Sequence, residues 1–220
     1  AFVKGRLIYS KLIVITKDKL EKTKDGSMKR PIKKRLILNL KKSGVTAASA
    51  KTERPELPRV LDVVLAVLAL MSLRSRPDVK VRQLVLDFRN AFFHFPVKAE
   101  ERRFFATTLN RMTYVWLRAV QGSRGAPLIC GRSLALAMRL VFGLLPAGTA
   151  SASTYVDDPI ASFIGSESAN ELSIAVVVGG LLALGFDLAF DKAQDSLELE
   201  RLVWTSASIR VDNEAGAIEV

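Results

Sequence analysis

The sequence predicts an α+β fold, and three observations carry that expectation. Short runs rich in β-branched and aromatic residues recur between turn signals, as in "LIYSKLIVIT" at 7–16 and "KRLILNL" at 34–40. Two longer runs, "VVLAVLALMSL" at 63–73 and "SIAVVVGGLLALGF" at 173–186, are apolar on nearly every helical face, as buried helices are. The stretch "TYVDDPIASFI" at 154–164 reads as two short strands joined at a pair of aspartates, with Pro159 favouring a bend because it donates no ladder hydrogen bond.

Taken in order, 7–16 and 34–40 are strands, and "KDKLEKTKDGSMKRP" between them is a charged hairpin tip with its turn at Asp25-Gly26. Together they form a projecting basic two-stranded hairpin. A loop at 42–58 leads into a helix that begins near Arg59. A strand at 81–88 carries Asp87 near its end, and "NAFFHFPV" stops at Pro96. "RRFFATTL" and "TYVWLRAV" pair across a turn at Asn110-Arg111. The glycine-rich "QGSRGAP" at 121–127 opens a helix running to about Leu145, and a last helix spans about 168–184. "FDLAFDKAQ" and "LVWTSASIRV" read as terminal strands.

The chain has 220 residues, 49% hydrophobic and 25% charged, enough to bury a core as one large domain or two small ones. Cys130 is the only cysteine, so no internal disulfide forms and a reducing, intracellular location is expected, in a cytoplasmic particle or the nucleus rather than outside the cell. His94 is the only histidine, which excludes a multi-histidine zinc centre. The apolar runs are too short to cross a bilayer. A start at Ala1 without a signal segment is expected of a piece of a longer polypeptide. The net charge is +11, and residues 1–54 hold 16 Lys and Arg against 4 Asp and Glu, so they carry the whole excess. Such a concentration suits a polyanion, either nucleic acid or nucleoside triphosphate.

Adjacent aspartates flanked by apolar residues are costly unless something offsets them, because each anion resists leaving water and the two repel. An arginine or lysine from elsewhere, a metal ion, or water at an exposed turn each meets that need.

Three stretches occur in a telling order: "LDFRNAFFHFPV", then "QGSRGAP", then "YVDD". They resemble the palm motifs of reverse transcriptases, in particular the retrovirus-like and long-terminal-repeat retrotransposon branch, and the resemblance extends from "KRLILNLKKSG" to "LVWTSASIRV". It implies a fingers-and-palm fold, with an antiparallel palm sheet backed by helices and a basic β-hairpin finger. Residues 1–58 would be fingers and 59–220 palm with part of the fingers, together one domain without a thumb. The implied reaction is RNA-directed DNA polymerisation, the extension of a primer 3′ end on an RNA or DNA template with deoxynucleoside triphosphates. Two Mg²⁺ ions about 4 Å apart, or Mn²⁺ in their place, would serve it. Asp87, Asp157 and Asp158 would be the metal ligands, since hard divalent cations take carboxylate oxygen.

The same resemblance assigns further roles. Phe92 falls at the steric gate that excludes a ribose 2′-hydroxyl, and Ala91 lines the sugar pocket. Gln121 and Gly122 meet the incoming nucleotide, and Arg124 adds charge nearby. Arg35 grips the triphosphate, where a planar guanidinium suits bidentate contact, with Lys29 and Arg30 as further candidates. Lys192 is expected to protonate the pyrophosphate, and Tyr155 and Trp204 to contact the primer, although Ser206 stands where relatives have glycine. Asn90 and Asn39 replace acids frequent in relatives. The remaining thumb, RNase H or integrase regions of a parent polyprotein would be partners. Two other expectations fit the same residues: a catalytically inactive nucleic-acid-binding remnant of a retroelement, and a cellular or maturase-type relative.

Overall fold

The structure, a computed structural model, describes residues 2–3, 6–18, 21–22, 28–29, 32–50, 53–54 and 56–220. The predicted turn at Asp25-Gly26 and Arg30 lie outside the described residues, as does the side chain of Lys29. The main elements are β1 (Lys11–Asp18), β2 (Ile32–Asn39), α1 (Val60–Ser72), β3 (Lys80–Val85), β4 (Ala106–Leu109), β5 (Met112–Val115), α2 (Ala126–Phe142), β6 (Ala150–Tyr155), β7 (Asp158–Gly165), α3 (Glu167–Ala183), β8 (Gln194–Asp195), β9 (Leu202–Trp204), β10 (Ala207–Asp212) and β11 (Ala217–Glu219). The chain divides into two compact units, residues 1–53 with 92–127, and residues 54–91 with 128–220.

In the first unit β1 and β2 pair antiparallel over eight residues, from Lys11 opposite Asn39 to Asp18 opposite Ile32. β4 and β5 form a second hairpin whose turn residues, Asn110 and Arg111, have φ of 50° and 61°. Two consecutive left-handed residues give the turn twist that two-residue hairpins favour. A small core of Leu38, Leu40, Val45 and Val120 receives Ile8, Phe104, Phe105 and Trp116. The predicted loop at 42–58 contains a single helical turn at Val45–Ala48.

The second unit is built on a four-stranded antiparallel sheet in the order β6-β7-β3-β8. Side chains alternate across it. Val81, Val85, Ile160 and Ile164 meet Val63, Val67, Leu70 and Met71 of α1 together with Leu202, Trp204 and Ile209 of the β9-β10-β11 sheet. On the opposite face Phe163 stacks on Phe142 of α2, with ring centroids 5.9 Å apart. The bidentate pair from Arg82 to Asp195, at 2.8 and 2.6 Å, fastens the short edge strand β8 to β3.

The helices have local causes. Ser166 precedes α3 and its hydroxyl accepts from the Ala169 N–H at 3.4 Å. Asp62 in the first turn of α1 accepts from the Arg59 N–H at 2.7 Å. Among the described residues no helix is long and apolar enough to cross a membrane.

Two sequence expectations change. "FDLAFDKAQ" is not a strand: it makes one bridge, Phe88 with Leu188, then a 3₁₀ turn at Phe190–Lys192 before β8. Asp187 and Asp191 instead meet Arg89, and those side-chain pairs fall where a ladder would have run. Pro159 does not bend the chain out of the sheet but lies in β7, opposite Thr154, with its carbonyl accepting from Leu86 N–H at 3.1 Å. Near the start of a strand the missing donor is tolerated.

Gly180 sets the α2–α3 distance, because a Cβ there would overlap Val141 Cγ1, whereas Gly179 faces open space. Gly180→Ala should destabilise the fold by about 1–3 kcal/mol through overpacking. Gly179→Ala should stabilise it by up to about 1 kcal/mol through helix propensity. Urea midpoints at unchanged slope measure both.

Candidate active site

Antiparallel register assembles the acidic residues. β3 and β7 pair with Val85 opposite Ile160, and the ladder continues through the bond from Leu86 N–H to the Pro159 carbonyl, so Asp87 comes opposite Asp158. β6 and β7 close with Tyr155 opposite Asp158, leaving Val156 and Asp157 as a two-residue loop. Val156 has φ 58°, left-handed backbone that a β-branched residue adopts at a cost of about 1–3 kcal/mol. Gly131 of α2 lies beneath this loop, where even a Cβ would stand at an ordinary contact distance of 3.6 Å from the Val156 Cα.

The acids feel one another. Burial pushes the Asp158 carboxyl up to about 6, the negative charges of Asp157 and Asp87 push it the same way, and a backbone N–H from Thr205 pulls partly against them. Cys130 is buried, and burial together with the charge of Asp157 pushes its thiol up to about 12, so the cysteine is inert packing. Lys192 Nζ donates to Asp87 Oδ2 at 2.7 Å. Among the described residues no three acidic, histidine or cysteine side chains stand as a ready ligand set for a metal ion. The donor type alone suits a hard divalent cation: carboxylate oxygens at one end of a sheet, where burial, and then the charges of Asp157 and Asp87, raise the Asp158 carboxyl.

Trp204 is fully buried, its indole N–H donating to the Asp158 carbonyl at 2.9 Å. This side chain offers no surface to a primer and instead fastens the β9–β10 hairpin to the aspartate loop. Thr205 and Ser206 form that hairpin's turn with φ of 47° and 70°, so Ser206 adopts the conformation that glycine adopts more readily. Tyr155, 39% exposed, packs edge-on to Trp204 at 6.5 Å. Ala91 is buried. The Thr205 and Trp204 contacts to Asp158 have no local signal, because they depend on a turn 46 or 47 positions downstream.

The other predicted residues lie in the first unit. Arg35 is exposed on β2, opposite Ile15. The Gln121 carbonyl accepts from Leu38 N–H at 3.0 Å, binding the glycine-rich loop to β2. Gly122, at φ 101°, is required there, since a Cβ would overlap the Leu38 carbonyl oxygen. Arg124 donates to the Ser49 carbonyl at 3.1 Å and the Thr46 carbonyl at 3.5 Å, closing the end of the Val45–Ala48 turn. Phe92 is half-buried in the 3₁₀ turn Ala91–His94.

An Asp158 carboxyl raised from 3.8 to about 6 keeps its proton in the folded chain over a range where the unfolded chain has released it. Stability therefore falls as pH rises through that window and the loss is complete above it. Asp158→Asn should be more stable than the parent by about 1–2 kcal/mol near pH 7.5, after discounting for screening, and equal to it near pH 3.5. Urea unfolding at the two pH values measures the difference.

No protein-family model matches the chain, and no curated protein matches it. Solved structures do. The foamy viral protease-reverse transcriptase dRH in complex with double-stranded DNA aligns over 92% of this chain and 31% of its own, with a TM-score of 0.57 and 18% identity. The native prototype foamy virus protease-reverse transcriptase aligns over 88% and 21%, with a TM-score of 0.56 and 16% identity. The foamy viral enzyme with an RNA/DNA hybrid aligns over 80% and 21%, with a TM-score of 0.55 and 18% identity. The chain thus spans between about a fifth and a third of the length of these structures. It has a retroviral reverse-transcriptase-like fold.

Proposed function

We propose that this chain is the fingers and palm of a reverse transcriptase of a retrovirus-like element or long-terminal-repeat retrotransposon, extending a primer 3′ end with deoxynucleoside triphosphates. The observation that carries the proposal is the β3–β7 register that brings Asp87 opposite Asp158 and next to Asp157, where burial, and then the charges of Asp157 and Asp87, raise the Asp158 carboxyl. The retroviral-type fold supports it, and the foamy virus structures with double-stranded DNA and an RNA/DNA hybrid support a nucleic-acid partner.

Asp87, Asp157 and Asp158 would hold two Mg²⁺ ions, with Mn²⁺ a substitute. When bound, such ions supply charge neutralisation at the attacking hydroxyl and at the departing pyrophosphate. Arg35 meets the triphosphate with a planar guanidinium. Gln121 and Gly122 orient the nucleotide, and Arg124 holds the shape of the loop while adding positive charge. Phe92 crowds the ribose 2′ position beside Ala91. Tyr155 presents its exposed edge to the primer end. The excess of basic residues at 1–54 draws the template and primer in, a contribution that weakens with salt. Regions found beyond this part in longer proteins of the type, such as the thumb and RNase H, complete the grip on the duplex.

A second proposal, a nucleic-acid-binding relative without catalysis, is favoured by the absence of a ready ligand set among the described residues and by the lysine on Asp87.

Primer extension on primed RNA with Mg²⁺, by the chain within its natural polypeptide, separates the two. Incorporation that Asp157→Asn lowers on the order of 10³-fold, the loss of several kcal/mol of transition-state stabilisation, is the outcome expected of the enzyme. Nucleic-acid binding without incorporation is the outcome expected of the second proposal. Phe92→Ala should raise ribonucleotide use relative to deoxynucleotide use by roughly tenfold or more, read as the ratio of kcat/KM values.

A further inference from the structure

β5 belongs to a two-stranded hairpin, and its residues Met112–Val115 are all exposed. The bond from Trp116 N–H to the Phe105 carbonyl, 2.9 Å, extends the β4–β5 register by one pair and fixes which way the backbone points. Bonded and non-bonded pairs alternate in an antiparallel ladder, so Tyr114 is bonded to Thr107, whereas Thr113 and Val115 turn their N–H and C=O groups away from β4. Among the described residues no backbone group pairs with them there. Farther along, the same outer edge is occupied: Val97 N–H donates to the Leu117 carbonyl at 2.9 Å and Ala119 N–H to the Phe95 carbonyl at 2.8 Å. The segment then leaves the edge, because Glu101 N–H and Arg102 N–H turn back to the Lys98 carbonyl at 3.0 and 3.2 Å. Lysine, proline and bulges, which keep exposed edges from pairing, are absent from β5. Beside the open stretch lies an apolar cavity of about 430 Å³ whose walls include Leu12, Leu109, Tyr114 and the rings of Phe93 and Trp116, stacked 6.0 Å apart.

We infer that this open edge and its cavity are a docking slot for an extended acidic peptide segment of another protein, which adds a strand beside β5 and seats an aromatic or leucine side chain in the cavity. Strand addition takes its affinity from main-chain bonds and its specificity from pockets for alternate side chains. Charge selects the acidic occupant: Arg111 and Arg118 lie before and after β5, both exposed, and no Asp or Glu occurs between Glu101 and Asp157. A second copy suits the slot less well, since antiparallel pairing of Thr113 with Val115 of that copy sets Arg111 beside Arg118 across the interface. The slot lies in the first unit and is independent of the aspartates.

Residue-resolved amide hydrogen exchange with the peptide acetyl-Glu-Phe-Thr-Leu-Glu-amide tests this. At a peptide concentration ten times Kd, Thr113 and Val115 should exchange about tenfold more slowly, with Tyr114 unchanged because its N–H is already bonded. Val115→Pro removes an outward N–H without breaking a bond to β4, and should weaken binding of the labelled peptide by about tenfold or more. The same peptide with lysine in place of both glutamates should bind the parent about tenfold more weakly. No binding at millimolar peptide, binding that leaves Thr113 and Val115 unprotected, or equal binding of the lysine peptide overturns the inference. A thymidine oligonucleotide protecting this face where the peptide does not makes it a nucleic-acid surface and overturns the peptide slot. A concentration-dependent dimer that protects the same two amides without peptide overturns it in favour of self-association.

Discussion

The register between β3 and β7 is the constraint on which the candidate site depends. Once Val85 lies opposite Ile160, the antiparallel ladder leaves Asp87 and Asp158 facing each other, and the two-residue closure of β6 on β7 adds Asp157 beside them. A slip of one residue would exchange the faces of the strand. Val81, Val85, Ile160 and Ile164 would then leave the core they share with α1, so the apolar packing that stabilises the sheet also fixes where the carboxylates meet. Folding energy gained over a broad apolar face holds together a group of like charges that would otherwise separate.

Two parts of the second unit, the β9–β10 hairpin and the turn that carries Lys192, meet these aspartates. Thr205 gives an N–H to Asp158, Trp204 holds the Asp158 backbone from within the core, and Lys192 covers Asp87. The left-handed Val156 shows the same balance in the backbone, where strain at a loop tip persists because two well-paired strands leave the chain no alternative.

Much of this was legible in the sequence because it is local. The β6–β7 hairpin around "YVDD", the turn at Asn110-Arg111 and the helices at 60–72 and 167–183 follow from residue patterns within ten or so positions. Asp87 was legible as the end of an apolar strand run. The rest required tertiary information. "FDLAFDKAQ" has strand-like alternation, yet after a single bridge to Phe88 it turns into a 3₁₀ helix, and its acids lie beside Arg89, which no local pattern reports. Trp204 is expected from the resemblance to contact the primer, but it is buried and its indole N–H donates to the carbonyl of Asp158, 46 residues earlier. Arg124 reads as free charge in a glycine loop and is bound to carbonyls of a helical turn near Ser49. Lys192, expected to face a leaving group, lies on Asp87 because the Ala189–Asp87 backbone bond brings its turn there.

The central claim is that the carboxylates of Asp87, Asp157 and Asp158 together hold divalent metal. Anomalous X-ray scattering from a crystal of the protein soaked in Mn²⁺ tests it most directly. The account predicts a peak within coordinating distance of oxygens from all three side chains. A well-ordered map with Mn²⁺ elsewhere, or with none between these residues, would contradict it.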